Sequence, residues 1–137
     1  MSVKSNVLTI LEERKGDSVS GEELAITIGV SRTAVWKAVK SLISDGHDVT
    51  ATTNKGYVLH EKSNVLSVEG ISRLLEKECD VFVYDTLVST NDTAKIKAIE
   101  GAKEGTVVVA KEQIGGKGRR GRSFFSPNDS GIYMSVI

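Results

Sequence analysis

The stretch from Ser20 to Ser31 constrains this chain more than any other, because it encodes a helix start, a stop and a second start in close succession. Ser20-Gly21-Glu22-Glu23 is a capping box. The Ser20 hydroxyl can accept from the Glu23 amide, and the Glu23 carboxylate can reach back. Leu24, Ala25 and Ile28 then make the buried face of a short helix. Gly29 can take the positive φ of a tight turn, Val30 can plug the angle between two helices, and Ser31 can cap the next one. That next helix, Ser31 to Asp45, puts Val35, Val39, Leu42 and Ile43 on one face and stops at Gly46. Upstream, Val7, Leu8, Ile10 and Leu11 make the stripe of an amphipathic helix over 6–15, capped by Ser5 or Asn6 and ended by Gly16. Downstream, Val49–Thr53, the turn residues Asn54-Lys55-Gly56, and Tyr57-Val58-Leu59 read as a β-hairpin. Three helices followed by a hairpin is the order of a winged helix-turn-helix, here over residues 1–63.

The pattern changes over residues 64–137. Ser67 can cap a helix with Val68, Ile71, Leu74 and Leu75 inward. Val81–Tyr84 reads as a strand, and Asp92–Glu100 as a helix with Ala94, Ala98 and Ile99 on one side. Thr106–Glu112 is apolar enough for a central strand, and Gly131–Ile137 is a third strand. Strand alternating with helix implies an α/β or α+β unit. Such a sheet leaves one face and an edge uncovered, which points to a larger domain.

Composition excludes several classes. Lys plus Arg is 18 and Asp plus Glu is 18, so no uniformly basic coat exists and any anion site is local. A transmembrane helix needs about 20 apolar residues; the longest purely apolar runs, such as Val107–Ala110, are far shorter. The charged start of the chain is no secretory signal, so a cytoplasmic protein without membrane contact is expected. The lone Cys79 can form neither an intrachain disulfide nor a metal cage, and no metal ligands are expected.

A helix-turn-helix suggests DNA. Ser31 and the second helix's N-terminus can meet a phosphate, Arg32 or Thr33 can reach base edges, and Lys37 and Lys40 add charge. Lys55 at the hairpin tip can touch the backbone or minor groove. Trp36 can be a contact or a core residue. The competing reading is a three-helix packing unit with solvated lysines.

The second informative stretch is Gly115-Gly116-Lys117-Gly118-Arg119-Arg120-Gly121-Arg122, directly after the central strand. Glycines let a backbone approach a ligand closely, and arginines supply fixed forks for phosphate or carboxylate. Residues 116–121 match G-x-G-x-x-G, but a dinucleotide fold needs a helix opening inside the motif, and Ser123-Phe124-Phe125-Ser126-Pro127 is a poor start for one. A solvated basic loop or an RNA-binding tail is the competing reading. Ser89-Thr90-Asn91, between a strand and a helix, can either cap that helix or bind a polar head group.

Four strings together, SGEELAITIGVSRTAVWKAV with its wing NKGYVL, then VSTNDTA, KEQIGGKGRRGRSFFSP and SGIYMS, resemble the biotin–protein ligases that double as biotin operon repressors. The resemblance implies an α+β chain: a winged helix-turn-helix followed by the first part of a class II synthetase-like mixed α/β catalytic domain. It implies synthesis of biotinyl-5′-adenylate from biotin and ATP with Mg2+, and transfer of biotin to a lysine of a biotin carboxyl carrier protein. It further implies operator DNA binding by an adenylate-promoted homodimer. By motif, Ser89, Thr90, Asn91 and Gln113 would hold biotin, together with Lys117, Gly118 and Arg119. Gly116, Lys117, Gly118, Arg119, Arg120, Gly121, Arg122 and Phe124 would form the adenylate loop, with Arg119 the catalytic cation. The DNA-binding element would run from about Gly21 to Lys40. Lys117 stands where the family often has arginine, and Phe124 where tryptophan is frequent. The family's later Lys-Trp-Pro-Asn-Asp-like segment, catalytic lysine and small C-terminal barrel are missing from these residues, so they are expected to show no ligase turnover alone. The alternative reading is a winged-helix transcription factor whose second domain senses a ligand without chemistry.

Overall fold

In the computed structural model, which describes residues 1–137, helix α1 spans Val3–Glu13 and starts earlier than the apolar stripe suggests. Ser2 is the cap, its hydroxyl accepting from the Ser5 amide at 3.1 Å. Val3 already packs on the core, so the buried face begins there. Helix α2 covers Gly21–Ile28 and α3 covers Arg32–Ser44. Their caps are Ser20 and Ser31, which accept from Glu23 N at 3.0 Å and Ala34 N at 3.1 Å. Only half of the expected capping box forms: the Glu23 carboxylate pairs with Arg14 at 2.6 Å instead of turning back. Gly29 is left-handed at φ 78. Helix α3 ends in a Schellman turn, with His47 N on Leu42 O and Gly46 N on Ile43 O.

The core of this first unit, Met1–Val65, holds Val7, Leu11, Leu24, Val35, Val39 and Leu42 at 2% exposure or less. Ile43 was expected among them and is exposed; Ala38, on the same inner face as Val35 and Val39, is buried instead. The wing is strand β2 (Val49–Thr52) against β3 (Gly56–Leu59). A two-residue strand β1 (Ser18–Val19) pairs with β3 on its other side, giving the order β1-β3-β2. Gly56 makes this possible. Its φ is +94, and a Cβ there would lie 2.3 Å from the Val19 carbonyl oxygen.

The second unit, Leu66–Ile137, opens with helix α4 (Val68–Arg73), capped by the Ser67 hydroxyl. Here the apolar reading is corrected: α4 stops at Arg73 and buries no residue, and Val68, Leu74 and Leu75 are exposed. Strand β4 (Val81–Leu87) runs parallel to β5 (Val107–Gln113), with helix α5 (Thr90–Ile99) between them. Strand β6 (Tyr133–Val136) adds antiparallel to β5, so β5 is central as its apolar run requires. Helix α5 begins at Thr90, earlier than expected, and its contacts run through Thr90 and Ala94 rather than Ala98 and Ile99, which are exposed. The α5 face of the sheet carries Phe82 and Val108, and Lys97 sits 3.7 Å over the Phe82 ring.

Candidate functional site

In the first unit, the outward side of α3 carries Arg32, Thr33, Trp36, Lys37 and Lys40, all exposed and all opposite Val35, Ala38, Val39 and Leu42. The spacing of these five places them on one stripe. Trp36 is a surface residue at 49% exposure, which resolves its ambiguity. Lys40 holds its ammonium 4.3 Å from the indole centroid. A concavity of about 690 Å³ opens between this stripe, the first turn of α2 and the wing. Arg32, Thr33 and Trp36 line one side, Thr52, Thr53 and Asn54 the other. Lys55, exposed at the wing tip, lies next to Asn54, whose φ is 65. The Ser31 hydroxyl accepts the α3 cap bond from the Ala34 amide, which leaves its O–H free to donate at the helix N-terminus.

In the second unit, the end of β5 and the start of α5 are tied together through one side chain. The Gln113 Oε1 accepts from the Thr90 amide at 2.8 Å, and its Nε2 donates to Ser126 Oγ at 3.0 Å. Ser126 in turn donates to the Phe124 carbonyl at 3.0 Å and is 2% exposed. The Thr90 hydroxyl meets Ser135 of β6 at 2.9 Å. Ser89 is buried at 2% and occupies the N-cap of α5, its carbonyl accepting from Thr93 N at 3.1 Å while its hydroxyl makes no cap bond. Asn91 is exposed.

The glycine-arginine loop leaves β5 and returns as a small antiparallel turn, with Gln113 opposite Ser126 and Lys117 opposite Ser123. Gly115 N donates to Val88 O at 2.8 Å, laying the loop base against the Ser89 turn. Gly116 is buried, and a Cβ there would lie 2.5 Å from Phe124 O and 2.6 Å from Ser126 Oγ. Gly118 N donates to Arg122 O at 2.6 Å. Arg119–Gly121 is a single 3-10 turn with Arg120 at φ 56, and no α-helix opens in the motif, which removes the dinucleotide-fold reading. Lys117 is held by Asp92 of α5 at 2.7 Å. Arg119, Arg120 and Arg122 are exposed and make no ion pair, and the Phe124 ring is 56% exposed. The loop thus presents three uncommitted guanidiniums beside a turn of small polar residues, an arrangement suited to a carboxylate or phosphate.

The structure therefore joins Thr90, Gln113, Gly116 and, through Asp92, Lys117. It leaves Asn91, Arg119, Arg120, Gly121, Arg122 and Phe124 exposed, with no ion pair among the arginines and only backbone hydrogen bonds within the loop. Ser126, Ser135 and the Asp92 partnership were missed. Their contacts span 13 to 45 residues of sequence, and nothing in the local pattern marks a serine as a partner across such a gap.

Residues 3–58 match the family described as HTH domain, and residues 83–137 match the Biotin/lipoate A/B protein ligase family. The chain is 34% identical to the bifunctional ligase/repressor BirA of Bacillus subtilis, over 99% of this chain and 43% of that protein. It is 36% identical to the bifunctional ligase/repressor BirA of Escherichia coli, over 89% of this chain and 37% of that protein. It thus spans about two fifths of the length of these curated relatives. Residues 3–58 are thus similar to helix-turn-helix domains and residues 83–137 to the biotin/lipoate A/B protein ligase family, and the similarity to bifunctional ligase/repressors runs across both.

Proposed function

We propose that the full-length protein carrying this chain is a biotin–protein ligase and a biotin-responsive repressor. The observation that carries the proposal is the Gln113 clamp, which holds the Ser89–Thr90 turn at the base of the glycine-arginine loop. Ser89, Thr90 and Asn91 supply small donors and acceptors for the ureido ring of biotin. Both ends of the Gln113 amide are engaged, so its part includes holding the Thr90 amide in place.

The biotin carboxylate attacks the α-phosphorus of ATP; a P–O bond forms, and the bond to pyrophosphate breaks. Charge grows on the phosphate oxygens, and fixed cations stabilise it. Arg119 is the cation assigned to carboxylate and phosphate. Lys117 and Gly118 line the biotin end of the loop, and Arg120, Gly121 and Arg122 complete it. The Phe124 ring offers a face to adenine. The amine of a carrier-protein lysine then takes the acyl group, and AMP leaves. Magnesium neutralises phosphate charge when bound.

The adenylate-loaded dimer binds operator DNA through the α3 stripe, Ser31 at its N-terminus and Lys55 on the wing. The test uses the full-length protein with biotin, ATP and a carrier domain, read by streptavidin blot, and a parallel mobility shift with operator DNA. Labelled carrier and a biotin-dependent shift are expected. A biotin-dependent shift without labelling would replace the enzyme with a non-enzymatic sensor.

A further inference from the structure

The outward stripe of α3 is polar or cationic at Arg32, Thr33, Lys37 and Lys40, and apolar at Trp36 and, at the far end of the helix from the concavity's lining, at Ile43. That indole is half exposed and borders the concavity between helix and wing. Lys40 sits 4.3 Å over its ring. This cation–π contact lies against the ring and favours that orientation of the half-buried side chain. In a DNA interface the ring gains by desolvation only where it meets an apolar counterpart. Base edges in the major groove are polar throughout, except for the C5-methyl group of thymine. Resting on the DNA-binding reading above, we propose that Trp36 is a specificity-determining residue that contacts a thymine methyl, with Lys40 as the residue that orients it.

The experiment starts from a duplex selected from a random pool by the full-length protein in the presence of biotin and ATP. Each thymine is then replaced singly by deoxyuridine, which lacks only the methyl. Burying one such group contributes about 0.8 kcal/mol, or about fourfold in affinity. The wild-type protein should lose about fourfold at one thymine per half-site and nothing at the others. Trp36→Ala should bind the parent duplex more weakly and be insensitive to that same replacement. Trp36→Phe keeps a ring and should retain part of the sensitivity, with circular dichroism showing both variants folded. Lys40→Gln should reduce the methyl sensitivity of the wild-type ring. Uniform tolerance of deoxyuridine by the wild type, or an undiminished methyl penalty in Trp36→Ala, would overturn the assignment while leaving DNA binding intact. If no duplex is selected at all, the DNA-binding reading falls, and this inference with it.

Discussion

Gly116 has no room for even a methyl group, since a Cβ would lie 2.5 Å from a carbonyl and 2.6 Å from a hydroxyl of the returning chain. Gly116→Ala should therefore force the loop off its base. In the full-length enzyme the expected outcome is a rise of at least tenfold in the KM for biotin. Melting of the first unit should not shift, because the loop lies outside its core. Ser126→Ala is milder. It removes the hydrogen bond from Gln113 and the one to the Phe124 carbonyl, each worth about 1 kcal/mol, and should raise the biotin KM at least about fivefold while kcat holds. Arg119 behaves differently because it has no ion-pair partner in the protein. Its side chain makes no ion pair whose loss would cost folding energy, and a charge-assisted contact to a bound anion is worth about 1.5–3 kcal/mol. Arg119→Gly should thus release the adenylate ten- to a hundredfold more readily rather than abolish its synthesis. Biotin incorporation into albumin, compared with wild type, reads the leak; labelling confined to the carrier would remove Arg119 from the site. At this scale the basic loop and the Ser89–Thr90 turn were legible in the sequence as types of residue. Which atoms meet was not, because Ser126 and Ser135 announce themselves only once β5 and β6 are paired.

Helix starts were legible at Ser20, Ser31 and Ser67, whose hydroxyls cap their own helices, but not at Ser2, which caps α1 in the same way ahead of the Ser5 or Asn6 expected there. The other misreadings came from side chains with a distant competitor or no cover. Glu23 turns to Arg14, nine residues back, and not to its own cap. Strand β1 is two residues long and exists only because β3, beyond Gly56, lies beside it. The apolar residues of α4 and the end of α5 have the right period and nothing packed over them within these residues. Gly56 is where local conformation and long-range pairing meet. Gly56→Ala adds about 1–2 kcal/mol for the left-handed backbone, and the contact with the Val19 carbonyl adds to that. Urea unfolding of the variant should show at least this loss. Leu24→Ala empties a fully buried site and should cost about 2–5 kcal/mol by the same measurement.

Over the whole chain, 18 basic and 18 acidic residues cancel, yet Arg32, Lys37, Lys40 and Lys55 stand on one side of the first unit. Binding through such a face should be salt-dependent even though the net charge is zero. Each phosphate neutralised adds about 0.9 to the slope of log affinity against log salt. Lys37→Ala should lower affinity for all duplexes alike and flatten the slope by about 1 per protomer in a salt titration. An unchanged slope would take Lys37 off the phosphate backbone. The order of the two units was readable from the change in hydrophobic period near Glu61, because each unit has its own rhythm of helix and strand.

The Gln113 clamp also has an evolutionary consequence. One amide links a turn 23 residues upstream to a serine 13 residues downstream. A lineage that replaces Gln113 must find a new acceptor for the Thr90 amide and a new neighbour for Ser126 in the same step. Positions 113 and 126, joined side chain to side chain, should therefore drift together or not at all, while the exposed side chains of Arg120 and Arg122, which make no ion pair, are free to wander between cations.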